Sequence, residues 1–173
     1  MNCKYLVFLD VDGVFTSGRV QLGIANPHEM WSKFDPIAVE FINTIHDRVD
    51  GVYFVLVSTW KEYIREDDVH SSHWVLSAFR NAGFRGEFFR PWKTNPTNDT
   101  KFYGPGKNRA HEMLDFMKTY TPDLKDFCVF DDNDYQWNNI LGKKRWIKTD
   151  SYNGLLFKHM EHAKALTGGW DKK

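Results

Sequence analysis

The run Tyr-Leu-Val-Phe-Leu-Asp-Val-Asp-Gly-Val, residues 5–14, begins with a short apolar segment that stops at Asp10. This segment is too short for a helix and rich in strand-forming residues, so it indicates a buried strand. Residues 52–57 and 127–130 form two further apolar runs of the same kind, and both also end at polar residues. Strands that are apolar throughout are typical of a parallel sheet that is covered on both faces.

Helical patterns lie between these predicted strands. The pair Asp35-Pro36 provides an N-cap and a first-turn proline, and apolar residues follow it at helical spacing. We predict helices over residues 36–48, 61–82, 108–120 and 154–166, and shorter strands over residues 87–90 and 145–149. This alternation predicts an α/β fold, a Rossmann-like three-layer sandwich with a central parallel sheet.

The length and composition indicate a single globular domain. The chain has 173 residues, of which 42% are hydrophobic and 27% charged, and this is enough for one buried core. We expect one domain over residues 1–173, with a flap at residues 14–34, a long loop over the site at residues 84–106, and minimal or no cap. The formal charge of zero argues against capture of nucleic acid by the whole surface, but it leaves room for a local basic patch.

The sequence also indicates the cellular setting. Cys3 and Cys128 lie far apart in apolar runs, so they indicate buried thiols rather than a disulfide or a zinc site. The first residues do not have the pattern of a signal peptide, and no apolar run approaches the ~20 residues of a membrane helix. We expect a cytoplasmic protein with no membrane contact and no obligate protein partner.

Polar side chains suited to chemistry follow the predicted strands at their carboxyl ends. They are Asp10, Asp12, Ser58, Asp131 and Asp132, with Lys107 at the start of a helix. Because ligands of open α/β sheets bind at this edge, we expect these side chains to converge there. Carboxylates gathered at one point repel each other unless a cation lies between them. Hard oxygen ligands without a nearby histidine or cysteine favour Mg²⁺ as that cation.

These residues resemble the four motifs of the haloacid dehalogenase superfamily. The motifs are Phe-Leu-Asp10-Val-Asp12-Gly13-Val, Ser58, Lys107 and Asp131-Asp132, and they span residues 5 to about 135. The resemblance implies a phosphohydrolase in which Asp10 attacks phosphorus and becomes an aspartyl-phosphate. It also implies that Asp12 first gives a proton to the leaving oxygen and then activates water.

The resemblance implies roles for the residues around the phosphate and the metal. Ser58 would hydrogen-bond a phosphoryl oxygen, with Thr59 as an alternative, and Gly13 would allow the tight turn beside the phosphate. Lys107 would neutralise charge on the transferred group.

The metal-binding residues implied by the resemblance are all aspartates. Mg²⁺ would bind Asp10, Asp132 and the backbone carbonyl of Asp12, and Asp131 would support it directly or through water. Members of the superfamily often have a further acid four residues after the first of the paired aspartates, where this chain has Tyr135, while Asp134 lies one residue early and is the alternative to Asp131 as support for the metal. The support around the metal therefore departs from the common pattern.

A finer resemblance concerns the compact domains of nucleic-acid repair proteins in bacteria and phages. It depends on Asp-Val-Asp-Gly-Val, a tryptophan near residue 31, Val-Ser-Thr-Trp-Lys after the second strand, and Val-Phe-Asp-Asp near the end. It implies a phosphatase for nucleotides or for 3′- or 5′-phosphorylated nucleic-acid ends. Trp31, Trp60 and Trp92 lie in predicted loops or at a strand end, where they could stack on bases at ~1–3 kcal/mol each or pack at the rim of the core.

Two other functions stay open on the sequence alone. A phosphatase for a small metabolite phosphate would use the same catalytic residues and would be indifferent to substitution of Trp60 or Trp92. A catalytically silent binding protein of the same fold would hold a partner in the acidic pocket. Such a protein has no need for both Asp10 and Asp12, so their presence favours an enzyme.

Overall fold

The computed structural model describes residues 3–22, 33–63, 69–95, 109–142 and 144–169. Of the predicted features, Trp31, Lys107, residues 23–32 of the flap and residues 96–106 of the long loop lie outside these residues. Within the described ranges, no helix has both the length and the apolar character that crossing a bilayer requires.

Strands and helices alternate along the described part of the chain. The strands are β1 Tyr5–Leu9, β2 Val52–Leu56, β3 Phe88–Lys93, β4 Phe127–Asp131 and β5 Trp146–Lys148. The α-helices are α1 Gly18–Gln21, α2 Pro36–Arg48, α3 Val69–Asn81, α4 Arg109–Tyr120, α5 Trp137–Ile140 and α6 Phe157–Leu166, and a 3-10 helix spans Thr59–Tyr63.

The strands form one parallel sheet with the order β3-β2-β1-β4-β5. Leu9 of β1 pairs with Leu56 of β2 on one side and with Phe130 of β4 on the other. Because the strands run in the same direction, the residues that follow these three positions emerge at one edge of the sheet. The predicted parallel α/β sheet is therefore confirmed, with β1 at its centre.

The two faces of β1 belong to two separate cores. Tyr5, Val7 and Leu9 pack with residues of α2, α3 and α6, whereas Leu6 and Phe8 pack with residues of α4 and α5. All five residues of β1 are buried, as expected for a strand without a charged side chain between two helical layers. The helices on the two sides make the predicted three-layer sandwich.

Three predicted elements differ from the structure by more than one residue at an end. The described parts of the predicted helix 61–82 are the 3-10 helix and α3. Strand β3 continues through Pro91 to Lys93, which an outer strand tolerates because only one of its sides has to pair. Helix α6 begins at Phe157 because Gly154, at φ 68°, closes a turn by donating its N–H to the carbonyl of Asp150.

Candidate active site

Asp10 lies directly after β1 and is the most enclosed acid at the carboxyl edge of the sheet, together with Asp131. Its side chain is 1% exposed. The backbone N–H of Val11 donates to Asp10 Oδ1 at 2.8 Å, and the hydroxyl of Ser58 hydrogen-bonds the same carboxylate. Asp10 is thus held with a fixed orientation at the end of the central strand, and the structure brings it together with Ser58 as predicted.

A buried arginine bridges the acids at the ends of β1 and β4. Arg109, the first residue of α4, is 4% exposed, and its Nη1 lies 2.8 Å from Asp10 Oδ2 and 2.8 Å from Asp131 Oδ2. Its guanidinium also lies over the ring of Tyr135, 4.7 Å from the ring centroid. Burial alone disfavours the charged guanidinium, but the charges of Asp10 and Asp131 outweigh it and raise the pKa of Arg109.

Sequence reasoning missed Arg109 and chose Lys107, which lies outside the described residues. A signal for Arg109 was present in the helical spacing. Arg109 stands four residues before Met113 and eight before Met117, both of which face the core, so a helix places all three on one side. An arginine on the buried face of a helix needs acidic partners, and the sheet edge provides them.

Three carboxylates form a compact cluster beside this arginine. Oxygen atoms of Asp10, Asp131 and Asp132 lie within 4.8 Å of one another. Asp132 packs against Gly13, whose φ of 71° suits glycine and where a Cβ would overlap the carboxyl group of Asp132. The backbone N–H of Asn133 donates to Asp131 and its side-chain amide donates to Asp132, both at 2.8 Å. Gly13 is therefore required for the close approach of Asp132 to the loop after β1.

Burial raises the pKa of each carboxyl in the cluster, and repulsion by Asp10 adds to it for Asp131 and Asp132. For Asp10 burial has the largest effect and the guanidinium of Arg109 opposes it. For Asp131 burial and then the charge of Asp10 raise the pKa well above its ordinary value. The same two causes raise the pKa of Asp132 to about 6. The cluster is therefore unfavourable as three free anions.

The donor set fits a magnesium ion. If all three carboxylates are ionised, Arg109 compensates one charge, so among the described side chains of the cluster two negative charges remain in excess. A divalent cation matches that excess, and carboxylate oxygens without histidine or cysteine are the ligands that Mg²⁺ prefers. Asp10 and Asp132 are suited to bind it. Asp131 has its Oδ2 paired with Arg109 and its Oδ1 paired with the N–H of Asn133.

The side chain of Asp12 lies outside this cluster of carboxylates. Asp12 is exposed, and its Oδ1 accepts from the hydroxyl of Thr16 at 2.8 Å while its Oδ2 accepts from Nε1 of Trp60 at 3.1 Å. This separation suits a carboxyl that exchanges protons with substrate rather than one that binds a metal through its side chain. A metal contact of the Asp12 carbonyl stays a prediction.

The predicted aromatic contacts to substrate are corrected in part. Trp60 is 2% exposed and packs against Phe34 and Trp74, so its ring has no free face on which a base could stack. The stacking prediction for Trp60 is therefore wrong. Trp92 is half-buried and lines a cavity of about 620 Å³ between β3 and α3, together with Arg80, Phe88 and Arg90 among other residues. Trp31 lies outside the described residues, and Thr59 begins the 3-10 helix beside Ser58.

A second buried charge pair lies behind the site. Lys61, in the 3-10 helix, forms an ion pair with Glu112 of α4, and the two side chains are 3% and 2% exposed. Thr94, just after β3, accepts from Lys61 Nζ at 2.6 Å and donates to Glu112 at 3.2 Å. The pair connects the segment that carries Ser58 to the helix that begins with Arg109. Local sequence patterns do not reveal this contact, because the three residues are distant along the chain.

Comparison with known proteins identifies the family of this chain. Residues 6–160 match the family described as the HAD domain in Swiss Army Knife RNA repair proteins, where HAD stands for haloacid dehalogenase. The chain belongs to this family. It is therefore a HAD domain, and its superfamily is one of hydrolases and phosphatases that typically use Mg²⁺.

A solved structure has the same fold as this HAD domain. The HAD domain of effector protein Lem4 from Legionella pneumophila superposes with a TM-score of 0.52 and 17% identity, covering 98% of this chain and 97% of that one. At this identity the likeness concerns the fold alone. A comparison with curated protein sequences gives no significant match. The family match thus confirms the predicted resemblance, and the Lem4 domain agrees with the α/β architecture.

Proposed function

We propose that this HAD domain is a Mg²⁺-dependent phosphatase that removes phosphate from nucleotides or from the ends of nucleic acids, with RNA ends as the preferred class. The observation that carries the proposal is the position of Asp10. It is a buried carboxylate at the end of the central strand, in contact with Ser58 and Arg109 and beside two further acids. A nucleophile, a cation and a hydroxyl donor around one point are what phosphoryl transfer requires.

In the first step Asp10 attacks the phosphorus atom of the bound ester. A bond forms between the Asp10 carboxylate oxygen and phosphorus, and the bond between phosphorus and the ester oxygen breaks. The electron pair of the broken bond goes to the leaving oxygen, which takes a proton from the carboxyl group of Asp12. Arg109 and Ser58 hold the attacking carboxylate in place while this happens.

In the second step water hydrolyses the aspartyl-phosphate on Asp10. Asp12, now a carboxylate, accepts a proton from the water as its oxygen attacks phosphorus. Inorganic phosphate leaves, Asp10 is regenerated and Asp12 again carries its proton. The exposed position of Asp12 lets it reach both the leaving group and the water, whereas the buried Asp10 cannot exchange protons with solvent as easily.

The metal would be held by Asp10 and Asp132, with the carbonyl of Asp12 as a further ligand. When bound, Mg²⁺ supplies positive charge that offsets the carboxylates and the phosphoryl group.

Two observations favour a nucleic-acid substrate over a small metabolite. The matching family is described by its occurrence in RNA repair proteins. In addition, the cavity at β3 is lined by the exposed Arg80 and Arg90 and by the half-buried ring of Trp92. Cations that attract phosphates next to rings that stack on bases are the common chemistry of single-strand binding.

Phosphate release from a substrate panel tests this function. The panel contains p-nitrophenyl phosphate, nucleoside monophosphates, and RNA and DNA oligonucleotides with a 3′- or 5′-phosphate, each with Mg²⁺ and with a chelator. We expect the highest kcat/KM on a phosphorylated RNA end. Asp10→Asn should lose activity at least roughly 1,000-fold because it removes the nucleophile.

The exposed turn residue Asp123 provides the matched control, since Asp123→Asn makes the same chemical change away from the site. Acid quenching during turnover should leave phosphate on the wild type in a form that hydroxylamine removes, as expected for an acyl phosphate. A best substrate among small metabolites would leave the mechanism intact and overturn the substrate class. Absence of release from every ester would favour a binding protein.

A further inference from the structure

Trp60 is fixed in place before any substrate binds. It is the second residue of the 3-10 helix Thr59–Tyr63 and is 2% exposed. Its ring centroid lies 5.8 Å from that of Phe34 and 5.4 Å from that of Trp74. A buried indole in contact with two other rings has few alternative orientations. The Nε1–H of Trp60 therefore points in a direction that the core determines.

This indole N–H donates a hydrogen bond to the carboxyl group of Asp12. Nε1 of Trp60 lies 3.1 Å from Asp12 Oδ2, and the hydroxyl of Thr16 lies 2.8 Å from Asp12 Oδ1. Each oxygen of the carboxyl group thus has its own donor, one from the segment after β2 and one from the loop after β1. An exposed aspartate without such donors samples several rotamers. Here the two donors define both the position and the rotation of the group.

We propose that Trp60 is a positioning residue that sets the carboxyl of Asp12 for proton transfer to the leaving oxygen, an inference that rests on the proposed phosphatase function. The role differs from the stacking expected of this residue, because the ring is enclosed and the polar edge is the part in use. Proton transfer is sensitive to small displacements of the donor. Loss of the hydrogen bond from Trp60 should therefore slow the reaction by more than loss of one hydrogen bond in a flexible site would.

Trp60→Phe keeps an aromatic ring and removes the N–H, and it should impair substrates according to their leaving group. p-Nitrophenolate leaves at neutral pH without a proton, whereas the alkoxide of 4-nitrophenethyl phosphate needs one. We expect kcat/KM for the alkyl ester to fall about 10-fold more than kcat/KM for the aryl ester. kcat/KM is the right quantity because it reports the steps up to the attack by Asp10.

Trp137→Phe is the matched control. Trp137 is also fully buried, and its Nε1 donates to the backbone carbonyl of Asn133 at 2.9 Å rather than to Asp12. Both variants lose the same atoms from a buried site, so both lower the melting temperature. We expect the ratio of the two kcat/KM values to stay at the wild-type value in Trp137→Phe. An equal fall on both esters in Trp60→Phe would mean a structural role only and would overturn the proposal.

A measurement without turnover separates this proposal from the proposed function. In ¹H–¹⁵N spectra the indole peak missing from Trp60→Phe identifies the Nε1–H of Trp60. Asp12→Asn should shift that peak strongly and the Trp137 peak little. No selective shift would overturn the contact whatever the activity. A selective shift in a protein that releases phosphate from neither of these esters nor from any nucleotide or oligonucleotide of the panel would disprove the phosphatase function and, with it, the role in proton transfer.

Discussion

At the scale of single residues, Arg109 and Tyr135 show how a departure from a common motif is compensated. Tyr135 stands where many members of the superfamily have a further acid. In this chain the guanidinium of Arg109 lies over the ring of Tyr135, 4.7 Å from its centroid. Burial raises the pKa of Tyr135 to about 12, so its hydroxyl is neutral at physiological pH. The face of the Tyr135 ring thus supports the guanidinium of Arg109 in addition to the carboxylates of Asp10 and Asp131.

We predict that the ring of Tyr135 matters for activity and its hydroxyl does not. Tyr135→Leu removes the cation–π contact, which is worth ~0.5–2 kcal/mol, and should lower kcat/KM by about 10-fold because Arg109 is held less firmly on Asp10. Tyr135→Phe keeps the ring and should stay close to wild type. Steady-state kinetics on p-nitrophenyl phosphate compares them. If the Phe variant lost as much activity as the Leu variant, the hydroxyl would be the essential group.

Residue-level prediction from sequence succeeded where the chain itself fixes the geometry. Asp10, Ser58 and Asp131 all follow buried parallel strands or end them, and strand register alone brings them together. Trp60 also follows a strand, but the direction of its ring depends on Phe34 and Trp74, which are distant in sequence. Local patterns do not contain such contacts, and this is why a stacking role was predicted for a buried ring.

At the scale of secondary-structure elements, prediction also succeeds where neighbouring residues determine the structure and fails where distant contacts do. Helix α2 was predicted with its observed bounds, because Asp35 caps it through Ile37 N–H at 2.9 Å and Pro36 begins it. The segment after β2 was predicted as part of a helix starting at residue 61. In the structure a 3-10 helix lies there instead, with a buried lysine that pairs with another helix. A buried ion pair is a tertiary feature, so helical periodicity did not reveal it.

We predict that the ion pair of Lys61 and Glu112 matters mainly as a pair. Lys61→Met or Glu112→Gln alone leaves one buried charge without its partner and should lower the free energy of unfolding by about 3–5 kcal/mol. The double variant Lys61→Met, Glu112→Leu removes both charges and should regain most of that loss. Urea unfolding, with the midpoint and slope compared across variants, measures the effect.

The exposed ion pair of Lys4 and Asp50 is the control for this prediction. Its side chains are 54% and 72% exposed, and they lie 2.6 Å apart. Lys4→Met should therefore cost less than about 1 kcal/mol. A cost for Lys61→Met as small as that for Lys4→Met would show that water reaches the buried pair. A double variant with a lower free energy of unfolding than both single variants would show that the two charges are not coupled.

At the scale of the whole molecule, the sheet concentrates like charges at one edge of a chain that is neutral overall. The order β3-β2-β1-β4-β5 places β1 beside β4, so the acids that follow these strands meet. Folding therefore works against repulsion among Asp10, Asp131 and Asp132, of which Arg109 offsets only a part. An ion that binds this cluster in the folded chain alone stabilises the entire fold, because the unfolded chain disperses the carboxylates.

Mg²⁺ should therefore raise the melting temperature of the protein even when no substrate is present. At a concentration of about 100 times its dissociation constant, a single ion adds about 2.7 kcal/mol, which corresponds to roughly 5–10 °C for a domain of this size. Asp132→Asn should raise the melting temperature in chelator, since one repelling charge is gone, and should lose most of the rise with Mg²⁺. Asp123→Asn, in an exposed turn, should follow the wild type in both conditions. Equal melting temperatures of the wild type in Mg²⁺ and in chelator, measured by calorimetry, would exclude the cluster as a magnesium site.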